Sequence, residues 1–222
     1  MLVLNMNIRG LLKNFNELKR LIIKYNPDII TLQETFTKKI VNIKNYNVFY
    51  KNRQFFKGGG LCTYVNKHYQ AHSTKFHYDY NINDKQFEVL IVKIKKGKSY
   101  LKLVNTYINP KTTTDLVDLI SSFHLDKNTI LLGDFNAKHP MWCVSGVTNK
   151  KGKIIKNVIK TNKLKIHNKF STTLINNFGE KSTVDLIITQ KHTDISIGKN
   201  KVLKNIGSDH FPLLFNFSCK EK

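Results

Sequence analysis

The chain has 222 residues, enough to bury the core of one domain, and its 41% hydrophobic and 11% aromatic content excludes a disordered chain. Its formal charge of +22, from 37 Lys and Arg against 15 Asp and Glu, repels itself unless a polyanion is near, which points to nucleic acid. Arginine occurs only at Arg9, Arg20 and Arg53, so salt-sensitive phosphate contacts by lysine are expected, not guanine reading. Cys62, Cys143 and Cys219 are too few and too scattered for a disulfide framework or a zinc knuckle, and fit a reducing compartment. The opening Met-Leu-Val-Leu-Asn-Met-Asn is too short an apolar run for a secretion signal, and no run is long enough to span a membrane. A single domain over 1–222 is expected.

Leu2 to Ile8 reads as a first strand, ending at Asn7-Ile8-Arg9-Gly10. Phe15 to Tyr25 has apolar residues at 15, 18, 21, 22 and 25, the spacing of one helix face, with Asn14 or Asn16 as cap and Asn26-Pro27 as stop. Asp28 to Leu32 is a second strand, with Gln33-Glu34-Thr35 at its carboxyl end. Short strands are expected at 46–50 and 61–65, the latter after Gly58-Gly59-Gly60, which lacks the pattern of a phosphate cradle. Residues 66–85 read as a polar connection whose His68, His72 and His77 are surface histidines at no metal-ligand spacing. Phe87 to Ile94 and Leu101 to Tyr107 form a hairpin around a basic turn, and a helix is expected over 112–123.

The apolar run Ile130-Leu131-Leu132 then stops at Gly133, and Asp134 and Asn136 follow. In extended chain these two polar residues face one side, where they can bind a hard cation or position a water. The alternative is an Asx turn in which they cap their own backbone. A helix is expected over 153–161, then a turn at Asn176-Asn177-Phe178-Gly179 between two strands, the second at 183–189. A strand at 195–206 and a last one at 213–217, after Gly207-Ser208-Asp209-His210, complete the chain before a loose tail. Strands dominate, which suggests two packed sheets flanked by helices, with polar clusters at strand ends where such a scaffold places its site.

Five strand ends carry unusual polar residues: Asn7, Glu34, Tyr107, Asp134 with Asn136, and Asp209-His210. Asp185 interrupts an otherwise apolar strand, which is costly unless it is paired. A histidine is its natural partner, because a carboxylate fixes the tautomer and stabilises the imidazolium; His210 is the candidate. Glu34 offers Mg²⁺ a carboxylate, and Asp134 with Asn136 can hold or deprotonate a water. Together these parts suit hydrolysis of a phosphate ester. Taken singly, Glu34 could be a cap, Tyr107 a core aromatic and His210 a loop histidine.

The order Asn7, Leu32-Gln33-Glu34-Thr35, Asn105-Thr106-Tyr107, Leu132-Gly133-Asp134-Phe135-Asn136, Asp185, Ser208-Asp209-His210 resembles the endonuclease/exonuclease/phosphatase superfamily, over Leu2 to Phe217. Gly-Asp-Phe-Asn-Ala-Lys-His-Pro-Met-Trp at 133–142 is similar to the endonuclease domain of non-LTR retrotransposons, especially Jockey-like and related arthropod lineages. So are Thr148-Asn149-Lys150-Lys151-Gly152 and Ser182-Thr183-Val184-Asp185-Leu186. The resemblance implies a four-layer α/β sandwich of the DNase I-like kind, two mixed β-sheets face to face and flanked by helices. It also implies Mg²⁺-dependent (or Mn²⁺-dependent) nicking of double-stranded DNA that leaves a 3′-hydroxyl to prime reverse transcription.

By the same resemblance, Glu34 binds the metal with Asn7 close by, and Asp209 is a second polar or metal-linked group. Asp134 and Asn136 align or activate the water. His210, oriented by Asp185, supports the charge on the scissile phosphate, and Tyr107 donates to it. Thr183 and Ser208 flank these groups and, with Arg9, are candidates for holding substrate. The turn at 176–181 corresponds to a hairpin that meets DNA in relatives. A reverse transcriptase in the same parent polyprotein, a monomer and a nuclear location are implied. The chain departs from the pattern at Met6, where many relatives have Trp, and at Arg9, where cellular apurinic enzymes have Asp. Asn109 and Cys143 are departures too. The Arg9 change weighs against abasic-site repair. An apurinic/apyrimidinic repair endonuclease, a catalytically inactive basic DNA-binding module and an inositol or lipid phosphatase are the alternatives.

Overall fold

The computed structural model describes residues 1–53, 58–75, 87–112, 117, 120, 123 and 125–220. Strands β1 (Leu2–Asn7) and β2 (Ile29–Gln33) flank helix α1 (Phe15–Tyr25) in the chain. Then come β3 (Tyr46–Lys51), β4 (Leu61–Asn66), β5 (Ala71–Thr74), β6 (Phe87–Lys96), β7 (Ser99–Ile108) and β8 (Thr129–Asp134). Helix α2 (Lys150–Thr161) and β9 (Leu164–Ile166) precede a short hairpin of β10 (Leu174–Ile175) and β11 (Lys181–Ser182). Strands β12 (Asp185–Gln190), β13 (Ile195–Val202) and β14 (Leu213–Cys219) close the fold.

Among the described residues these strands make two six-stranded sheets, ordered β13-β14-β1-β2-β4-β3 and β5-β6-β7-β8-β12-β9. Both are mixed: β1 and β2 run parallel, as do β7 and β8, and the other pairs are antiparallel. Strand alternation assigns each side chain to a layer. In β8, Ile130 and Leu132 enter the core between the sheets with Val3, Ile29 and Phe215, while Leu131 turns outward to Ile155 and Val158 of α2. In β1, Val3 faces the second sheet and Leu4 packs against Leu18 of α1. Because both faces of these strands are covered, their sequences read as continuous apolar runs. The result is the four-layer sandwich expected.

Most element boundaries agree with the sequence reading, and the differences have physical reasons. Asn14 does not cap α1 with its side chain; its amide donates to Ile8 O at 2.7 Å and ties the helix to β1. Asn26 ends that helix in the left-handed region at φ +43, where its N–H reaches Ile22 O at 2.8 Å. Helix α2 starts three residues earlier than expected because Asn149 accepts Gly152 N–H at 2.8 Å. Strands β5, β9 and β11 are not in the sequence reading, which runs from the 176–179 turn directly into a strand at 183–189: β5 is a polar edge strand, and β9 and β11 are only three and two residues long, so none carries a periodic signal. Asp185 opens its strand instead of lying inside it. The helix expected over 112–123 falls mostly outside the described residues, as do His77 and the last two residues. His68 and His72 are exposed and the three cysteines are free. No helix among the described residues is long and apolar enough to cross a membrane.

Candidate active site

Strand register builds the floor of the site. Asp134, the last residue of β8, lies opposite Tyr107 of β7 on one side and Asp185 of β12 on the other. Gly133, just before it, passes so close to β7 that a Cβ there would lie 1.9 Å from Thr106 O, and its φ is +134. Glycine is therefore required for contact as well as for turning. The opposing sheet contributes Asn7 at the end of β1, whose Nδ2 donates to Asp134 Oδ2 at 3.0 Å and joins the two sheets.

Asp134 is 1% exposed and accepts three hydrogen bonds. Oδ1 accepts Asn136 N–H at 2.9 Å, and Oδ2 accepts Asn136 Nδ2 at 3.1 Å besides that of Asn7. Asn136 is not extended as the sequence suggested; it turns back at φ +47, so Asp134 and Asn136 form the Asx-type turn and share a site at once. Asn136 Nδ2 also donates to Ile108 O at 3.0 Å. His210 comes from the bend before β14. Its Nδ1 lies 2.8 Å from Asp185 Oδ2 and its Nε2 3.7 Å from Asp134 Oδ2. Burial alone would lower the histidine's pKa, but Asp185, then Asp134, the hydrogen bond and Asp209 outweigh it and raise it to about 9. Asp134 is pushed up by burial, with His210 opposing. The two carboxylates thus favour the imidazolium, with Nδ1 bonded to Asp185 and Nε2 turned toward Asp134.

A second group of side chains lies nearer solvent. Glu34 follows β2 at φ +50, with its charge beside the Tyr107 hydroxyl. Burial, then the Glu34 charge, raises the Tyr107 pKa, so the phenol keeps its proton. Arg9 places Nε 3.4 Å from Glu34 Oε2 and Nη1 2.8 Å from Asp209 Oδ2. Ser208 is structural in its contacts: its hydroxyl donates to Asn7 O at 2.8 Å and accepts His210 N–H at 3.1 Å. Thr183 is buried two residues before Asp185, and its hydroxyl has no hydrogen-bond partner among the described residues. Every candidate from the sequence except Thr183 therefore joins one contact network, where the carboxyl ends of β1, β2, β7 and β8 meet the amino ends of β12 and β14.

Several supporting residues gave no motif signal. Thr173 Oγ1 accepts the N–H groups of Val184 and Asp185, at 3.2 and 3.1 Å, and Asn168 grips Asp185 O at 2.7 Å. Arg53 lies over the Tyr107 ring at 5.8 Å and pairs with the buried Glu88 at 3.3 Å. Glu88 stands opposite Tyr107 in the β6–β7 register; an acid in that apolar hairpin strand was the available clue. Asn149 accepts Lys138 N–H and donates to Asn136 O at 2.9 Å, which links the two retrotransposon-like segments. The β10–β11 hairpin rises beside His210, held by a Lys138–Glu180 pair at 3.0 Å, and shows Phe178 at its tip, 95% exposed.

The donor set suits a divalent cation. Ligand atoms of Asp134, Asp185 and His210 all lie within 4.8 Å of one another, a group that can hold a metal ion. Buried Asp185 Oδ1 and Asp209 Oδ1 lack hydrogen-bond partners among the described residues, and an oxygen left so is open to a cation. His210 Nδ1, however, is engaged by Asp185, and a protonated ring is no ligand. The carboxylate side, at Glu34 and Asp209, therefore fits a hard ion better than the imidazole.

Two facing sheets with a carboxylate, amide and Asp–His cluster at one end define a phosphodiesterase of the DNase I-like class. A family model described as endonuclease–reverse transcriptase matches residues 101–214, and the chain belongs to that family. Among solved structures it is similar to the endonuclease domain of TRAS1, a telomere-specific non-LTR retrotransposon, at 20% identity, 99% coverage of both chains and a TM-score of 0.79. It is also similar to an AP endonuclease from Leishmania major, at 13% identity, covering 99% of this chain and 88% of that one, with a TM-score of 0.74. An AP endonuclease from Archaeoglobus fulgidus aligns at 14% identity over 98% and 99% of the two chains, with a TM-score of 0.72. A search of curated proteins finds no match.

Proposed function

We propose that the chain is a Mg²⁺-dependent DNA endonuclease that nicks one strand of a duplex and leaves the 3′-hydroxyl from which a reverse transcriptase of the same parent polyprotein copies a non-LTR retrotransposon. The observation that carries this reading is the Asp134–His210–Asp185 arrangement across β8, β12 and the bend before β14. Asp134, held by Asn7 and Asn136 and raised in pKa by burial, orients the attacking water and accepts its proton. The water oxygen bonds to phosphorus as the P–O3′ bond breaks, and the departing O3′ takes a proton from solvent to become the 3′-hydroxyl. The His210 imidazolium and the Tyr107 hydroxyl donate to the non-bridging oxygens, where charge accumulates. Glu34, with Asp209 and Asn7 near, would hold the metal ion, which supplies Lewis-acid stabilisation of the phosphate.

The lysine excess supports a duplex partner. Lys160, Lys163, Lys165, Lys169 and Lys191 line one groove on the second sheet's edge, suited to backbone phosphates. We further infer one domain over 1–222, acting as a monomer on chromosomal DNA in the nucleus. Arg9, which takes Glu34 and Asp209 as partners, argues against the abasic-repair alternative; preferential cleavage of abasic duplex would reverse that ranking. The direct test is conversion of supercoiled plasmid to open circles, with polymerase extension of the nick to read its 3′ end. Nicking should require Mg²⁺, stop with EDTA and be absent in Asp134→Ala and His210→Ala. Nicking that survives those changes removes the assignment.

A further inference from the structure

Arg9 pairs with two acids that lie outside the Asp134–Asp185–His210 cluster, the buried Glu34 and the part-exposed Asp209. Its guanidinium fork spans Glu34 Oε2 at 3.4 Å and Asp209 Oδ2 at 2.8 Å, acids that lie far apart in the sequence. The backbone delivers it there. Arg9 and Glu34 both hold left-handed conformations, at φ +45 and +50. Their loops are stitched together by Gly10 N–H to Glu34 O and Leu11 N–H to Thr35 O, each at 2.8 Å. Arg9 N–H donates to Asn7 Oδ1 at 3.2 Å. Such backbone persists in non-glycine residues only where the surroundings impose it.

Charge gives the arrangement a consequence. Glu34 and Asp209 together carry two negative charges, and Arg9 neutralises one of them. A divalent ion at Glu34 meets that guanidinium as a rival for the same oxygens. The Arg9 side chain is 51% exposed, so it has solvent to move into when it lets go.

We propose that Arg9 is a built-in competitor for the divalent ion: it occupies the Glu34–Asp209 pair as an internal cation, and an ion binds at Glu34 only by displacing it. The inference rests on the reading of Glu34 as a metal ligand. Its consequence is a nuclease with weak ion binding in the absence of DNA, because one ligand's charge is already neutralised from within.

The test reads binding, not turnover. Free Mn²⁺ is followed by electron paramagnetic resonance as it is titrated into the full chain without DNA. Arg9→Asn suits the left-handed backbone, and Arg9→Gln keeps the unbranched stem and an N–H donor without the charge. Each should tighten Mn²⁺ binding about ten-fold, a coupling of ordinary size between two ligands of one site. The gain should vanish when Glu34→Gln is added. In the unaltered chain, Mg²⁺ should shift the Arg9 Nε–H resonance, one of only three arginines to assign, and should leave it unmoved in Glu34→Gln. Unchanged or weakened Mn²⁺ binding in both arginine variants overturns the proposal. So does a gain that persists without the Glu34 carboxylate, or an Arg9 resonance indifferent to Mg²⁺. Plasmid nicking run in parallel bears on the nuclease reading alone.

Discussion

The two walls of the cleft are made of similar residue types and held in opposite ways. On the β8–β12 side, Asp134, Asp185 and His210 are 1–3% exposed, and each is fixed by at least one hydrogen bond of 3.1 Å or less. On the loop side, the Glu34 side chain is 10%, the Asp209 side chain 28% and the Arg9 side chain 51% exposed, and the main contacts are ion pairs. Buried charges without a partner are expensive, so the first wall keeps one arrangement and a definite proton inventory. The solvent-facing Arg9–Asp209 pair contributes at most about 1 kcal/mol, so the Arg9 end of the second wall can exchange partners. The contrast suits a site that must hold its proton-handling groups still while admitting an ion and a charged polymer.

The largest effect should come from the rigid wall. Asp134→Asn keeps the volume and removes the proton acceptor, and plasmid nicking should fall by about 10³-fold or more, with the thermal melt showing the fold intact. If the loss is small, the water is activated elsewhere and the comparison of walls fails. Next comes Asp185→Asn, which leaves His210 without its carboxylate. Nicking should fall by about 10²-fold, and the alkaline limb of the pH profile should move down.

That limb follows from sign. The fold raises the His210 pKa from its ordinary value to about 9. The stability this contributes is fully present below the ordinary histidine pKa and is lost as pH rises through about 9. Activity that needs the imidazolium should fall in the same window. A limb near 7 in the unaltered chain would mean that the carboxylates do not hold the proton. Tyr107→Phe, which removes the hydroxyl beside Glu34, should reduce the rate by about ten-fold with little change in melting temperature. Phe178→Ala, at the exposed hairpin tip, should have the smallest effect on rate and should redistribute cleavage among plasmid sites; an unchanged map would exclude that hairpin from target choice.

Much of this was legible in the chain. Apolar runs that stop at Gly133 and Gln33, the pairing of buried Asp185 with His210 and the helical spacing of 15–25 all appear where side-chain periodicity and burial cost require them. Of the two readings of 134–136, the structure has the Asx turn: Asn136 folds back so that its N–H and side-chain amide both reach Asp134. Arg53 and Glu88 were missed because their partnership spans two sheets and has no local pattern. Arg9 was marked as a departure, but nothing in the sequence says that it reaches both Glu34 and Asp209.

By itself the sequence determined which residues are apolar, where strands end and which few polar groups sit at those ends, because these depend on local periodicity and on the cost of burying charge. Tertiary structure alone decided that β7, β8 and β12 lie abreast, so that Tyr107, Asp134 and Asp185 share one row. It alone put a guanidinium between two acids 175 positions apart in the sequence, Glu34 and Asp209. The physical reason is register: hydrogen bonding between strands distant in the chain fixes relative position to a fraction of a residue, and no pattern within one strand encodes its neighbour.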